Sequence, residues 1–189
     1  MMRPTQPQAI YTIAYMAQSL DGFIAGVDND LSWLEQIDNP TQDDFGFAQF
    51  MASVDALLMG RHTFETVASF GFWPYNKPVY VASQSLHALP EGFEDKAFLI
   101  SGNSVTEMLE TLLGQGHQRI YIDGGQLIQS ALAESQLDEM VITTVPVLLG
   151  QGISLFSNQG SQIPWQLAHS EVLLDQLVKS TYRRPTDSK

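Results

Sequence analysis

The residues with the most chemistry to offer stand directly after short apolar runs. Leu57-Leu58-Met59 ends in Gly60, Arg61, His62 and Thr63, and Val79-Tyr80-Val81 leads to Ser83 and Gln84. Ile120-Tyr121-Ile122 leads to Asp123, Gly124, Gly125, Gln126 and Leu127, and the first apolar run, ending at Ala17, leads to Ser19-Leu20-Asp21-Gly22. A glycine turn that opens a helix presents free N–H groups, and the helix dipole there favours an anion such as phosphate. Arg61 adds a cation with two-pronged donor geometry, and Ser83 and Gln84 add neutral donors. Together they suit a ligand with phosphates at two separated points, as in a phosphorylated dinucleotide. Each feature also has a plainer reading: a Gly-Gly pair as a turn, and Arg61 as a surface ion pair. No G-x-G-x-x-G follows the first apolar run, and no Walker loop, G-x-S-x-G elbow or zinc-deaminase signature is present.

Composition narrows the classes. With 189 residues, 44% hydrophobic and 16% charged, the chain fits one domain with a sizeable core. It has no cysteine, and its histidines, 62, 87, 117 and 169, lie far apart, so no metal site is expected. A net charge of −12 argues against nucleic acid or an anionic membrane as partner. No apolar run reaches membrane-spanning length and no signal-peptide core opens the chain, which predicts a cytoplasmic protein. Residues 1–8 and 185–189 read as disordered ends around a domain at 9–184.

The elements that must position these residues follow from periodicity. Strands are predicted at 10–17, 55–60, 79–83, 97–100, 119–124 and 139–149, with Pro146 marking an edge or bulge. Helices are predicted at 41–54 with Thr41 as N-cap, 62–70, 104–116 and 126–135. Residues 18–32 read as a long loop, and 165–184 as a closing hairpin. The alternation implies an α/β three-layer αβα sandwich, a mostly parallel sheet with an antiparallel C-terminal hairpin. Ligands of such sheets bind beyond the C-terminal ends of the strands, which is where the polar and glycine residues above fall.

In this order the motifs SLDGFIA (19–25), DALLMGRHTFE (55–65), DGGQL (123–127) and DEMVITTVPVLLGQGISLF (138–156) resemble the dihydrofolate reductase superfamily. The closer resemblance is to stand-alone relatives of the riboflavin-biosynthesis reductase domain, over about residues 9 to 184. It implies an NADPH-dependent reductase acting on a pterin-like, pyrimidine or other small heterocycle. Gly60, Arg61, His62 and Thr63 match the motif that holds cofactor phosphates, and Ser83 and Gln84 the strand end beside the adenosine. Gly124 and Gly125, with Gln126 and Leu127 behind them, match the pyrophosphate-binding turn, which is strained by a cis peptide in dihydrofolate reductases. Ala17 and the loop carrying Ile24 match the segment that closes over the nicotinamide.

The resemblance implies a substrate side as well. Asp44 falls at the place of the buried acid that supports protonation beside the hydride-accepting carbon. Its other reading is a helix-capping residue that complements the dipole. Trp33, Phe47, Thr143 and Asp21 match or fall near positions that face the substrate, although each also suits a core or turn. Cations for a ribosyl phosphate or a folate tail are scarce, so a neutral heterocycle is expected. Relatives of this kind are often homodimers, with the C-terminal hairpin as the contact edge. A nucleotide-binding protein of the same fold without turnover is the alternative, and the position of Asp44 separates the two.

Overall fold

The computed structural model describes residues 9–156 and 161–185. Its elements in chain order are β1 (Tyr11–Ser19), β2 (Phe23–Ala25), a 3-10 turn (Val27–Asn29), α1 (Ser32–Glu35), α2 (Phe47–Ala52), β3 (Ala56–Gly60) and α3 (Arg61–Ala68). There follow β4 (Val79–Ala82), β5 (Ala97–Ile100), α4 (Val105–Gly114), β6 (Arg119–Asp123), α5 (Gly125–Ala133), β7 (Glu139–Val145), β8 (Ile153–Ser154), β9 (Gln166–Leu173) and β10 (Leu177–Arg183). The expected disordered ends fall, apart from Pro185, outside the described residues.

β3 shows how burial on both faces builds the sheet. Leu57 and Met59 pack with Phe64, Val79 and Tyr121 on one face, while Ala56 and Leu58 pack with Leu109, Ile122 and Ile128 on the other. All four β3 side chains are fully buried, which is why the strand reads as an unbroken apolar run. The eight-stranded sheet has the order β5-β4-β3-β6-β1-β7-β10-β9. β1 pairs in parallel with β6 and β7, and β3 with β4 and β6. β10 runs antiparallel to β7, and β9 antiparallel to β10. α4 and α5 cover one face through Leu109, Leu112, Ile128 and Ala131, and α2 and α3 cover the other through Phe50, Met51 and Phe64. This is the expected three-layer arrangement.

Three expectations need correction. The helix predicted at 41–54 begins only at Phe47: its N-cap is Gly46, with φ 82°, not Thr41, and the Asp44 carboxylate ahead of it accepts from Gly46 N–H at 2.9 Å and Ala48 N–H at 2.8 Å. The strand predicted at 139–149 stops at Val145, since Pro146 has no N–H to continue the ladder. The loop at 18–32 contains β2, which pairs with β8 in a separate two-stranded sheet. No helix among the described residues is long and apolar enough to cross a membrane.

Candidate active site

Two helices begin at the C-terminal edge of the sheet within reach of each other. β3 passes through Gly60 straight into α3, and β6 passes through Asp123 and Gly124 into α5. Neither N-terminus is capped by a side chain, so both leave N–H groups free. Both open on one cleft of about 920 Å³. Gly60, Arg61, His62, Thr63, Ser83, Gln84, Gly124, Gly125, Gln126, Leu127 and Ile24 all line it. Ala17 does not; its neighbour Met16 does, because the two alternate across β1.

Glycine is required at the α5 turn. Gly124 has φ +95°, and a side chain there would run into the Thr63 hydroxyl; one on Gly125 would meet Ile24 Cδ1 at 2.6 Å. No cis peptide occurs among the described residues, so the strained bond expected at this pair is not found; the turn is made by the positive φ of Gly124, which glycine adopts readily. At Gly60 an added Cβ would meet nothing within 4 Å, and the backbone is open to a ligand group there. Arg61 sits at the mouth with its guanidinium 3.7 Å from Glu65, and His62 lies 3.4 Å from the same carboxylate. Both contacts are exposed, so Arg61 is held loosely and is free to turn to an anion. None of the other described lysines and arginines lines the cleft; Arg119 donates to Ser53 C=O, Arg183 pairs with Glu139 at 2.7 Å, and Lys179 pairs with Glu171 at 2.8 Å.

The far end of the cleft adds residues that the motifs did not mark. Gly102, Asn103, Ser104, Ser130 and Glu134 line it. Ser104 caps α4 by accepting from Glu107 N–H, a Ser-x-x-Glu spacing that was legible as a capping box. Glu134 accepts from Val105 N–H at 3.0 Å and from Thr106 N–H and hydroxyl at 2.9 Å. Burial opposes ionisation of Glu134, but these donors outweigh it and hold the carboxyl below its ordinary range. The N-terminus of α4 is therefore already filled by a carboxylate, leaving α3 and α5 to receive an anion.

A second, smaller cleft of about 290 Å³ opens on the α2/α3 side, lined by Asp44, Phe47, Ala48, Met51, Trp73, Pro74, Tyr75 and Asn76. Asp44 and Phe47 thus meet, with Trp73 and Tyr75 as aromatic walls. Asp44 is exposed rather than buried, and the N–H groups of Ala48 and Gly46 lower its pKa. It stays a carboxylate down to acid pH and holds no proton to give.

Asp123 is the opposite case. It follows Tyr121 by two residues on β6 and faces the same side of the sheet, and it lines the large cleft. Tyr75 donates its hydroxyl to Asp123 Oδ2 at 3.3 Å. Burial pushes the carboxyl up to about 6, against hydrogen bonds from Tyr121, Tyr75 and Gly124 N–H that favour ionisation. Burial and the neighbouring Asp123 also raise the phenol of Tyr75. Asp123 was visible in the DGG motif as a turn residue; its raised proton affinity comes from burial, which depends on packing by segments distant in sequence, Tyr75 among them.

The remaining expected substrate residues lie elsewhere. Asp21 is consumed by the backbone: it accepts from Leu149 N–H at 3.1 Å and Gly150 N–H at 2.8 Å, and from Ser19 Oγ at 2.6 Å. The Ser19 hydroxyl and then these N–H groups lower its pKa. Trp33 is buried in a small cluster with Val145 and Leu177, and Thr143 is buried within the sheet beside Ala17. None of the three lines either cleft.

With the geometry in view, the chain belongs to the RibD C-terminal domain family, which it matches over residues 10–179. Its α/β fold is that of riboflavin-biosynthesis reductase domains. It is 33% identical to the uncharacterized protein YwjB of Bacillus subtilis over 148 residues, 77% of this chain and 82% of that one. A crystal structure from Shewanella sp. PV-4, whose assignment to riboflavin biosynthesis is itself provisional, superposes with a TM-score of 0.90. That protein is 44% identical, with 93% of this chain and 99% of that one covered. The deaminase/5-amino-6-(5-phosphoribosylamino)uracil reductase of Thermotoga maritima superposes with a TM-score of 0.71 at 16% identity, covering 94% of this chain and 57% of that one.

Proposed function

We propose that the protein is an NADPH-dependent reductase of a small heterocycle, with the dinucleotide in the large cleft and the acceptor ring in the smaller one. The observation that carries this reading is the pair of uncapped helix N-termini, α3 and α5, opening on one cleft with Arg61 as the first residue of α3 and Ser83–Gln84 on the next strand end. These residues fit the cofactor. The free N–H groups and the bare backbone at Gly60 suit a pyrophosphate, and Arg61 with Ser83 suits a 2′-phosphate. Bound there, the cofactor would supply a hydride; the chain supplies placement and exclusion of water. Ile24 on β2 presses on Gly125, and the β2–β8 pairing holds that loop over the cleft.

The smaller cleft favours a flat ring without phosphate. Its walls are Phe47, Met51, Trp73 and Tyr75, its charge is the ionised Asp44, and its lining residues include no cation. Lys179, whose charge helps to lower the Asp44 pKa, pairs with Glu171 and donates to Phe45 C=O at 2.9 Å. We further propose that two copies associate through β9, the outer strand of the hairpin, where Leu167 and Val172 are exposed. The deciding experiment is a fluorescence titration with NADPH and NADH, repeated with 7,8-dihydrofolate present. Tight NADPH binding with oxidation supports turnover. Binding without oxidation by any heterocycle favours a nucleotide-binding protein, and no binding sinks the cofactor assignment.

A further inference from the structure

We propose that Lys179 and Tyr15 are positioning residues of the smaller cleft: together they clamp the Phe45 carbonyl and so hold the turn that aims the Asp44 carboxylate at the acceptor ring. The inference rests on the reading of that cleft as the acceptor site. Its ground is that donors from two different strands converge on one carbonyl oxygen. The Tyr15 hydroxyl donates to Phe45 C=O at 2.9 Å, and Lys179 Nζ donates to the same oxygen at 2.9 Å. The residue before it, Asp44, is the one charge among the residues lining the cleft.

The turn needs holding. Phe45 has φ 56° and Gly46 φ 82°, so two successive residues are left-handed. A bulky aromatic residue stays in that region only where its surroundings fix it. Here its ring packs against Trp33, Val145 and Leu177, its N–H donates to Asp43 Oδ1 at 2.6 Å, and its carbonyl takes the two donors. The turn brings Asp44 Oδ1 onto Gly46 N–H and Oδ2 onto Ala48 N–H. Each oxygen keeps acceptor capacity for a ligand. Gly46 closes tightly on the clamp, since an added Cβ would lie 3.0 Å from Lys179 Nζ.

The sheet explains why these side chains meet. Ala17 on β1, Thr143 on β7 and Lys179 on β10 stand in one row, and Tyr15 precedes Ala17 by two residues on the same face. The Tyr15 ring stacks on Phe50 of α2 at 4.5 Å, which fixes where its hydroxyl points. Burial first, and then the carboxylates of Asp44, Glu171 and Asp43, push that phenol up to about 12, so it remains a donor at neutral pH. The Lys179 side chain is 15% exposed and pairs with Glu171 of β9 at 2.8 Å. Its ammonium is thus fixed between a carboxylate of the outer strand and the turn.

The test takes the full chain with ¹³C-labelled aspartate carboxyls as wild type, Tyr15→Phe, Lys179→Met and Asp44→Asn, the last to assign the Asp44 signal. Carboxyl titration and amide exchange are read on each. Tyr15→Phe deletes one donor, keeps the stacked ring and removes no charge, so it isolates the geometry. Exchange at Gly46 and Ala48 is expected to speed up by about threefold or more in Tyr15→Phe and about tenfold or more in Lys179→Met, with β3 and β6 unchanged. The Asp44 midpoint moves upward in both. The KM of an accepted heterocycle rises by about fivefold or more in Lys179→Met, while NADPH affinity stays within about twofold. An Asp44 midpoint and local exchange that ignore Tyr15→Phe, equal loosening of β3 and β6, or an unchanged KM overturns the clamp. Failure of the wild type to oxidise NADPH with any heterocycle overturns the reductase reading instead, and exchange and titration then decide the clamp by themselves.

Discussion

The hydroxyl of Thr63 at the start of α3 occupies the space that a side chain on Gly124 would need, so the two helix N-termini are fitted to each other through one missing Cβ. A Gly124→Ala change faces both this clash and a positive φ of 95°. It is expected to cost on the order of 1–3 kcal/mol of stability and to weaken dinucleotide binding, because α3 and α5 must move apart. Urea denaturation and NADPH titration of the same variant check both halves, and Thr63→Ala in the Gly124→Ala background should recover part of the loss.

Arg61 makes one exposed contact, with Glu65, so its removal should leave the melting point nearly unchanged. Arg61→Ala is instead expected to lower the NADPH/NADH affinity ratio by about tenfold or more, a charge-assisted phosphate contact being worth roughly 1.5–3 kcal/mol. Paired titrations at fixed salt give the ratio, and an unchanged ratio removes Arg61 from the 2′-phosphate.

Asp123 predicts a pH signature of stability. Its folded pKa of about 6 lies above the ordinary aspartate value of 3.8. The stability tied to its protonated form is fully present below about pH 4 and is lost as pH rises through about 6. The loss is on the order of 2–3 kcal/mol at about 1.4 kcal/mol per unit. Asp123→Asn cannot ionise, so the variant should gain on wild type between pH 4 and 7, as read by denaturation at each pH. Parallel curves place the carboxyl in the ordinary range.

Asp21 fastens the loop before β2 to Leu149 and Gly150. Asp21→Ala is expected to speed amide exchange at those two positions and along β2 and β8, with little change in the central strands β3 and β6. Because its pKa is lowered, the fastening holds through neutral pH and releases only in acid.

The exposed side chains of β9 predict association. Sedimentation of wild type should give a dimer, and a Leu167→Lys, Val172→Lys double variant a monomer with an unchanged far-UV spectrum.

The sheet was legible because its strands are apolar on both faces and its helices open after glycine turns. Residues 55–60, 119–124 and 97–100 needed no tertiary information. The large cleft was legible for the same reason, since residues at strand ends of a parallel sheet converge by topology. What depends on side-chain neighbours was not. Trp33 matched a substrate position by its place in the chain, yet the packing of Val145 and Leu177 draws it into the core. Asp44 and Asp123 are both aspartates ahead of helices. Only the backbone N–H groups facing one and the burial of the other decide which keeps a proton.

Asp123 on the large cleft and Tyr75 on the smaller one share a hydrogen bond, so the two clefts are joined there through one pair of side chains. Occupants of the two compartments therefore communicate through a shared proton. A ligand in the large cleft that favours the ionised form of Asp123 alters the affinity of any small-cleft ligand that senses the Tyr75 hydroxyl. Reciprocity requires a ligand in the smaller cleft to return the same factor. Loading of the two sites would then be coupled without any movement of the backbone, and the size of the coupling would change sharply around pH 6.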